Sequence, residues 1–299
     1  MVLSGGMKSA VILTRESLSN FETLAFAGGG NRCWWQGGLM EAWLAAGIKL
    51  PRQMIGTSAG AAVAAACLGA GPRAARDACL ALYAKNSRVL HWSRSAAGRA
   101  GFAHRWIYPA WLASFLGPDH FDAICRSGTT LRVAVTHPAR RLGLAGSLAL
   151  GSLAYLLDKK LAHSIHPRLP IFLGLKQAFY ELTHCESALQ AQKLLQAAAA
   201  AAPFMAAQKI KGAWAFDGGY TDNAPLPAQT PAERSKTLVL LTRHYPSLPS
   251  AFKWLDRTYW QPSQKVPVST WDCRPDTGVR QAYDLGLKDA MQVFKPAAI

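Results

Sequence analysis

The chain has 299 residues, half of them hydrophobic and 17% charged, with no long polar tract. That is enough apolar material for a substantial core, and it excludes an intrinsically disordered protein. Lys and Arg number 33 against 17 Asp and Glu, a net charge of +16, so an anionic partner is expected, either a lipid surface or nucleic acid. The excess is concentrated between Ala78 and Tyr180, where thirteen bases stand against Asp119, Asp122 and Asp158. No RNP, KH, zinc-finger or helix-turn-helix pattern accompanies the charge, which favours a membrane over nucleic acid.

Six cysteines carry no CxxC pair and no His–Cys cluster at metal spacing, and no D-x-D-x-D-G calcium loop is present. Reduced thiols in the cytoplasm are the expectation, with no metal and no cofactor. The run AVIL near the N-terminus is too short for a signal-peptide core. Residues 1–20 read as a flexible segment and 21–299 as a single domain, with no oligomeric state implied. A cytoplasmic, peripherally membrane-associated protein is expected, and delivery to another cell by a non-Sec route is compatible with this sequence.

In chain order, TLAFAGGG (23–30) reads as a buried strand ending in a glycine turn. WWQGGLMEAWLAAGI (34–48) has helical spacing, with Trp35, Leu39, Trp43 and Ala46 on one side. RQMIGTSAG (52–60) is a second strand running into a turn, followed by a small-residue helix from Ala61 to Ala70. Trp92, Trp106, Tyr108 and Trp111 lie amid Arg94, Arg99 and Arg105, a composition suited to a membrane interface. LRVAVTHP (131–138) alternates and is a strand. The uncharged stretch 142–157, between Arg140-Arg141 and Asp158-Lys159-Lys160, is a helix of about 24 Å, too short to span a bilayer. It is either a buried core helix or an interfacial segment walling a lipid site, and the region of about 85–180 reads as basic, apolar and membrane-facing or lid-like. A helix over 186–202 is stopped by Pro203; AWAFDGG (213–219) and KTLVLLTRH (236–244) are strands; and 271–290 closes the domain with a helix. Such strand–helix alternation predicts a three-layer α/β/α fold with a mainly parallel central sheet.

Three short stretches carry chemistry. GTSAG (56–60) matches the nucleophile elbow GxSxG, which sets Ser58 on a tight strand-to-helix turn with helix N–H groups aimed at the same place. Gly28-Gly29-Gly30 lacks both the spread of a GxGxxG dinucleotide loop and the GK[ST] of a phosphate loop. An oxyanion hole remains, formed by successive backbone N–H groups. FDGGYTDNAPLP (216–227) ends a strand at Asp217 and supplies a candidate base.

In this order the three stretches resemble the patatin-like phospholipase family over roughly residues 23–227. They stand as Gly28-Gly29-Gly30-Asn31-Arg32, Gly56-Thr57-Ser58-Ala59-Gly60 and Asp217-Gly218-Gly219, joined by Ala202-Pro203-Phe204, Asn223 and Pro225. Cys33 occupies a position where the family usually has glycine. The resemblance implies a patatin-like lipid acyl hydrolase of phospholipase A or lysophospholipase type, acting at an anionic phospholipid surface through a Ser58–Asp217 dyad. It further implies an oxyanion hole of the Gly28, Gly29, Gly30 and Ala59 amides, with Arg32 positioning the loop or facing phosphate. A free Asp titrates near ~3.9, so Asp217 needs a partly desolvated site to act as a base. Two alternatives are a Ser58–Asp217–His244 triad in α/β-hydrolase order and a non-catalytic lipid-binding relative.

Overall fold

The computed structural model describes residues 8–92, 101–157, 165–166 and 169–294. The chain begins with β1 (Ser9–Ala10), α1 (Arg15–Ser19), β2 (Thr23–Phe26), α2 (Trp34–Ala45), β3 (Gln53–Thr57), α3 (Ala59–Leu68) and α4 (Pro72–Ala84). A small hairpin of β4 (Leu90–His91) and β5 (Gly101–Phe102) leads into α5 (His104–Phe115), α6 (Pro118–Arg126), β6 (Thr130–His137), α7 (Gly143–Leu157) and α8 (Leu169–Phe172). Then come β7 (Lys176–Glu181), α9 (Ala188–Ala198), β8 (Gln208–Ile210), β9 (Ala213–Asp217) and α10 (Pro231–Ser235). The chain continues through β10 (Thr237–Leu240), β11 (Ala251–Trp254), β12 (Arg257–Trp260) and α11 (Val279–Phe294).

Five strands, in the order β12-β10-β2-β3-β6, are parallel, and antiparallel strands extend both ends, so the sheet is mixed with a parallel centre flanked by helices. The alternation of each strand sorts its side chains by face. Leu24, Phe26, Met54, Leu238 and Leu240 enter the large helical core, whereas Ala25, Ile55, Val239 and Leu241 enter a smaller cluster with Phe252 and Tyr259. From β2 the strand order runs one way through β3 and β6 and the other way through β10 and β12. The crevice at such a reversal, beyond the carboxyl ends of the strands, is where open α/β sheets bind ligands.

One register detail places the site. β6 pairs with β7 along its far edge, Ala134 opposite Phe179 and Val135 opposite Ala178. Its other edge is shared end to end by two strands. β3 runs alongside as far as Thr57 opposite Ala134, and Asp217 of β9 takes the very next position, opposite Val135. The residue after Thr57 and the residue ending β9 therefore meet.

The helical layer is held by α2 and α11. Trp35 Nε1 donates to the buried Asp289 carboxylate at 2.7 Å, and Asp289 also accepts from the Ser263 N–H. The helix axes come unusually close, because a Cβ on Gly38 would overlap the Tyr283 carbonyl oxygen and one on Gly286 the Trp35 carbonyl oxygen. The single apolar stripe expected for α2 is in fact a helix buried on nearly every side, Trp34, Gln36 and Met40 included, since sheet, α3, α4 and α11 enclose it.

Three other expectations are corrected or narrowed. Residues 1–7 lie outside the described residues, but the rest of the segment read as flexible is held: β1 pairs antiparallel with β11, a Thr14–Ser17 capping box starts α1, and Leu13 and Leu18 are buried. The helix expected to run to Ala202 ends at Ala198, because the chain turns so that the Ala200 carbonyl can accept the Asp217 N–H. Gly143–Leu157 is helical as expected, yet it is not a buried core helix: Leu150, Leu153, Leu156 and Leu157 are exposed. Arg94, Arg99 and the Asp158-Lys159-Lys160 bracket lie outside the described residues. Among the described residues no helix is long and apolar enough to cross a membrane.

Replacing Gly286 by Ala should force the two helices apart and cost about 1–3 kcal/mol of stability. Urea unfolding followed by tryptophan fluorescence checks this, and an unchanged midpoint would contradict the close approach.

Candidate active site

Ser58 follows the last residue of β3 and caps α3 with φ 53° and ψ −135°, a left-handed φ that a side-chain-bearing residue rarely adopts. The turn is possible because strand and helix nearly touch: a Cβ on Gly60 would overlap the Ala27 carbonyl oxygen, and one on Gly56 would overlap Ala61. The strain turns the Ser58 hydroxyl toward β9, where it donates to Asp217 Oδ2 at 2.7 Å. The other carboxylate oxygen, Oδ1, accepts the Gly219 N–H at 2.7 Å. Thr136 Oγ1 in turn donates to the Asp217 carbonyl.

Ser58 and Asp217 are both buried, 6% and 5% exposed. Burial drives the Asp217 pKa up from 3.8 to about 6, against the lowering effect of the Ser58 and Gly219 hydrogen bonds. No histidine joins the pair among the described residues: both carboxylate oxygens are occupied, and His244 Nδ1 bonds instead to the Pro262 carbonyl oxygen at 2.9 Å. His104 reaches the pocket beside Ser58, but burial lowers its pKa to about 4 and keeps it neutral.

The glycine loop is more differentiated than its sequence. Gly28, one of the expected oxyanion-hole residues, donates its N–H to the Asn223 carbonyl at 2.7 Å, so this amide already has an acceptor within the fold. Its carbonyl accepts from both Asn223 Nδ2 and Thr242 Oγ1. Gly28 is thus a clamp between three strand ends. Gly29, Gly30 and Ala59 N–H have no acceptor among the described residues, which leaves them as the available donors. Gly30 has φ 54° and packs against the Thr270 carbonyl, whose oxygen also takes the Asn31 N–H. Asn31 Nδ2 donates to the Ser269 and Asp272 carbonyls, and its Oδ1 accepts from Tyr83. Cys33, in the usual glycine position, has helical backbone angles (φ −65°, ψ −12°) and directs its thiol at the Ala27 carbonyl, so its Cβ imposes no strain.

Ser58 stands between two cavities. One of about 50 Å³ runs inward between Cys33, Trp34, Val63, Tyr108 and Trp111, and is mainly apolar. The other, about 280 Å³, opens outward between Arg32, Arg243, Asn223, Tyr220 and Leu156. Trp271, stacked on Phe204 at 4.4 Å, borders both. Arg32 Nε donates to the Gly29 carbonyl at 3.4 Å.

Arg243, Thr242, Thr270 and Trp271 escape the sequence reading. The position of Thr242 and Arg243 just past a parallel strand at the order reversal is the signal that could have found them; Thr270 and Trp271 reach the site only through the fold.

The family model for patatin-like phospholipase matches residues 24–228, a span that holds the glycine loop, Ser58 and Asp217. Among solved structures, VipD from Legionella pneumophila aligns with a TM-score of 0.45 and 12% identity, covering 92% of this chain; the chain spans 66% of VipD's length, just under two thirds. No curated protein matches the sequence.

The raised Asp217 pKa fixes a sign for stability. The folded chain holds this proton up to about pH 6 and the unfolded chain releases it near 3.8, so stability falls as pH rises between those values and stays lowered above them. Asp217→Asn should therefore stabilise the protein at pH 8 by up to about 3 kcal/mol, with the gain gone below about pH 4. Denaturant unfolding at the two pH values tests this; a gain of equal size at both would assign it to packing.

Proposed function

Since this chain belongs to the patatin-like phospholipase family and is read as a lipid acyl hydrolase, we propose that Ser58 is its nucleophile and Asp217 its general base, without histidine. The observation that carries the reading is the 2.7 Å bond from a strained, buried serine to a buried carboxylate. In the first step Asp217 takes the hydroxyl proton as Oγ attacks an ester carbonyl. Charge develops on the carbonyl oxygen, where the Gly29, Gly30 and Ala59 amides and the N-terminus of α3 stabilise it. Asp217 returns its proton to the departing alcohol, giving an acyl-serine. Water then enters and gives a proton to Asp217 as its oxygen attacks the acyl carbon; the bond to Ser58 Oγ breaks, Oγ takes the proton back from Asp217, and the acid leaves.

The environment suits the task. A pKa near 6 makes Asp217 a stronger base than a free carboxylate, yet leaves it mostly ionised at neutral pH. The apolar cavity beside Ser58 accepts acyl carbons, and the wider cleft carries Arg32 and Arg243 on the side where an alcohol bearing phosphate would leave. This assignment makes a phosphate-bearing ester, such as a phospholipid or lysophospholipid, the substrate class. The anionic membrane surface is its source.

Fatty-acid release from phospholipid vesicles should fall at least about a thousandfold in Ser58→Ala and in Asp217→Asn, and stay unchanged in His244→Ala. Loss of turnover in a folded His244→Ala protein would favour the triad. A fluorophosphonate that labels wild type but not Ser58→Ala would set this protein apart from a non-catalytic relative. The kcat/KM of wild type should rise with pH to a plateau, half-maximal near pH 6; a flat profile from pH 5 to 8 would remove Asp217 as the base.

A further inference from the structure

Helix α7 has leucines on both sides. On its inward face Ser147, Gly151 and Ala154 are buried, Leu144 and Leu148 pack against the cluster around Leu175, Phe216 and Tyr220, and the Ser147 hydroxyl accepts the Ala139 N–H. Gly151 rests against Tyr220 and Leu175, and Ser152 Oγ donates to the Leu148 carbonyl and to the Tyr220 hydroxyl. Its outward face is leucine. Leu150, Leu153 and Leu157, spaced i, i+3 and i+7 on one side, are 40%, 53% and 42% exposed. α8 packs beside α7 and adds Leu169, Ile171 and Phe172, the last 82% exposed. So many exposed large apolar side chains on two packed helices mark an interaction surface.

The position of the face decides what it meets. Leu156 is exposed on α7 and also lines the cleft that holds Ser58 and Asp217. Tyr220, which bears the inner face of α7, lies three residues past Asp217. The outer rim of the cleft and the apolar face are therefore one surface. Exposed Arg140 and Arg141 precede α7, and exposed Lys176 follows α8. Apolar side chains beside a basic rim complement the acyl boundary and headgroups of an anionic bilayer, and the helix is too short and too firmly packed on Tyr220 to cross one.

We propose that the outer face of α7 and α8, rimmed by Arg140, Arg141 and Lys176, is the surface on which this protein lies against an anionic phospholipid bilayer, so that lipid passes over Leu156 into the cleft. The proposal rests on the acyl-hydrolase reading for its substrate, but binding can be measured without turnover.

Flotation of the Ser58→Ala protein with vesicles of phosphatidylcholine alone, or mixed with phosphatidylglycerol, isolates docking from hydrolysis. Binding is expected to the mixed vesicles. It should fall roughly ten- to thirtyfold when Arg140 and Arg141 are both changed to Gln, and by at least as much in Leu153→Glu with Phe172→Glu. In the active background, Leu153→Glu with Phe172→Glu should lose vesicle hydrolysis and keep its rate on a water-soluble short-chain nitrophenyl ester, which also shows that it has folded. Vesicle binding that survives both sets of changes would overturn the proposal, as would a Ser58→Ala protein that binds neither vesicle. A wild-type dimer made monomeric by the Leu153/Phe172 changes, with vesicle binding intact, would assign the face to a second copy of the chain. Docking that depends on this face while even the soluble ester is untouched would leave the surface standing and refute the acyl-hydrolase reading instead.

Discussion

A single hydroxyl–carboxylate bond governs the design of this molecule, and it exists because two strands share one edge of a third. β3 ends opposite Ala134 and β9 delivers Asp217 opposite Val135, so β6 acts as a ruler that sets Ser58 and Asp217 side by side. The ruler is itself locked from its far side by β7. Around that bond the remaining features follow from ordinary constraints. A serine that must point sideways out of a strand end needs a left-handed φ, which in turn needs strand and helix glycines so that backbone can touch backbone. A carboxylate placed there is sealed from water, and its proton affinity rises accordingly.

The pair is also a boundary. On its inner side the lining is aromatic and aliphatic, with Trp34 and Trp111 in edge contact at 5.5 Å. On its outer side two guanidinium groups and an asparagine gather. A low-dielectric wall behind and cations in front polarise the site along one direction. Trp271 borders both regions and stacks on Phe204 of the outer one.

The sequence disclosed those features that backbone chemistry imposes locally. GTSAG and the glycine loop are legible because a strained elbow and a close-packed turn admit few residues; Asp217 is legible because it ends a strand before two glycines. The parallel sheet follows from the spacing of apolar runs. What could not be read depends on partners far along the chain. Gly28 looks identical to Gly29 and Gly30 in sequence, yet Asn223, 195 positions away, claims it. Arg243 and Trp271 carry no local pattern at all. The face of α7 was hidden for another reason: in an uncharged helix, periodicity of polarity says little, and only the fold separates Leu144 and Leu148, packed inward, from Leu150, Leu153 and Leu157, which face out. The early end of α9 reflects one carbonyl, that of Ala200, needed elsewhere.

The grip of residues 269–272 on the glycine loop has a temporal side. Asn31 is held by the Ser269 and Asp272 carbonyls across 238 and 241 positions of sequence, and Gly30 leans on Thr270. The elbow and its serine come early in the chain and the carboxylate later, but the glycine loop is braced by residues that follow Asn31 by 238 and 241 positions. A nascent chain can hold β2, β3 and α3 together and still lack a supported glycine loop, and so long a contour is slow to close. Synthesis order thus leaves the glycine loop without its brace until residues 269–272 have emerged, long after the strand, elbow and helix beside it.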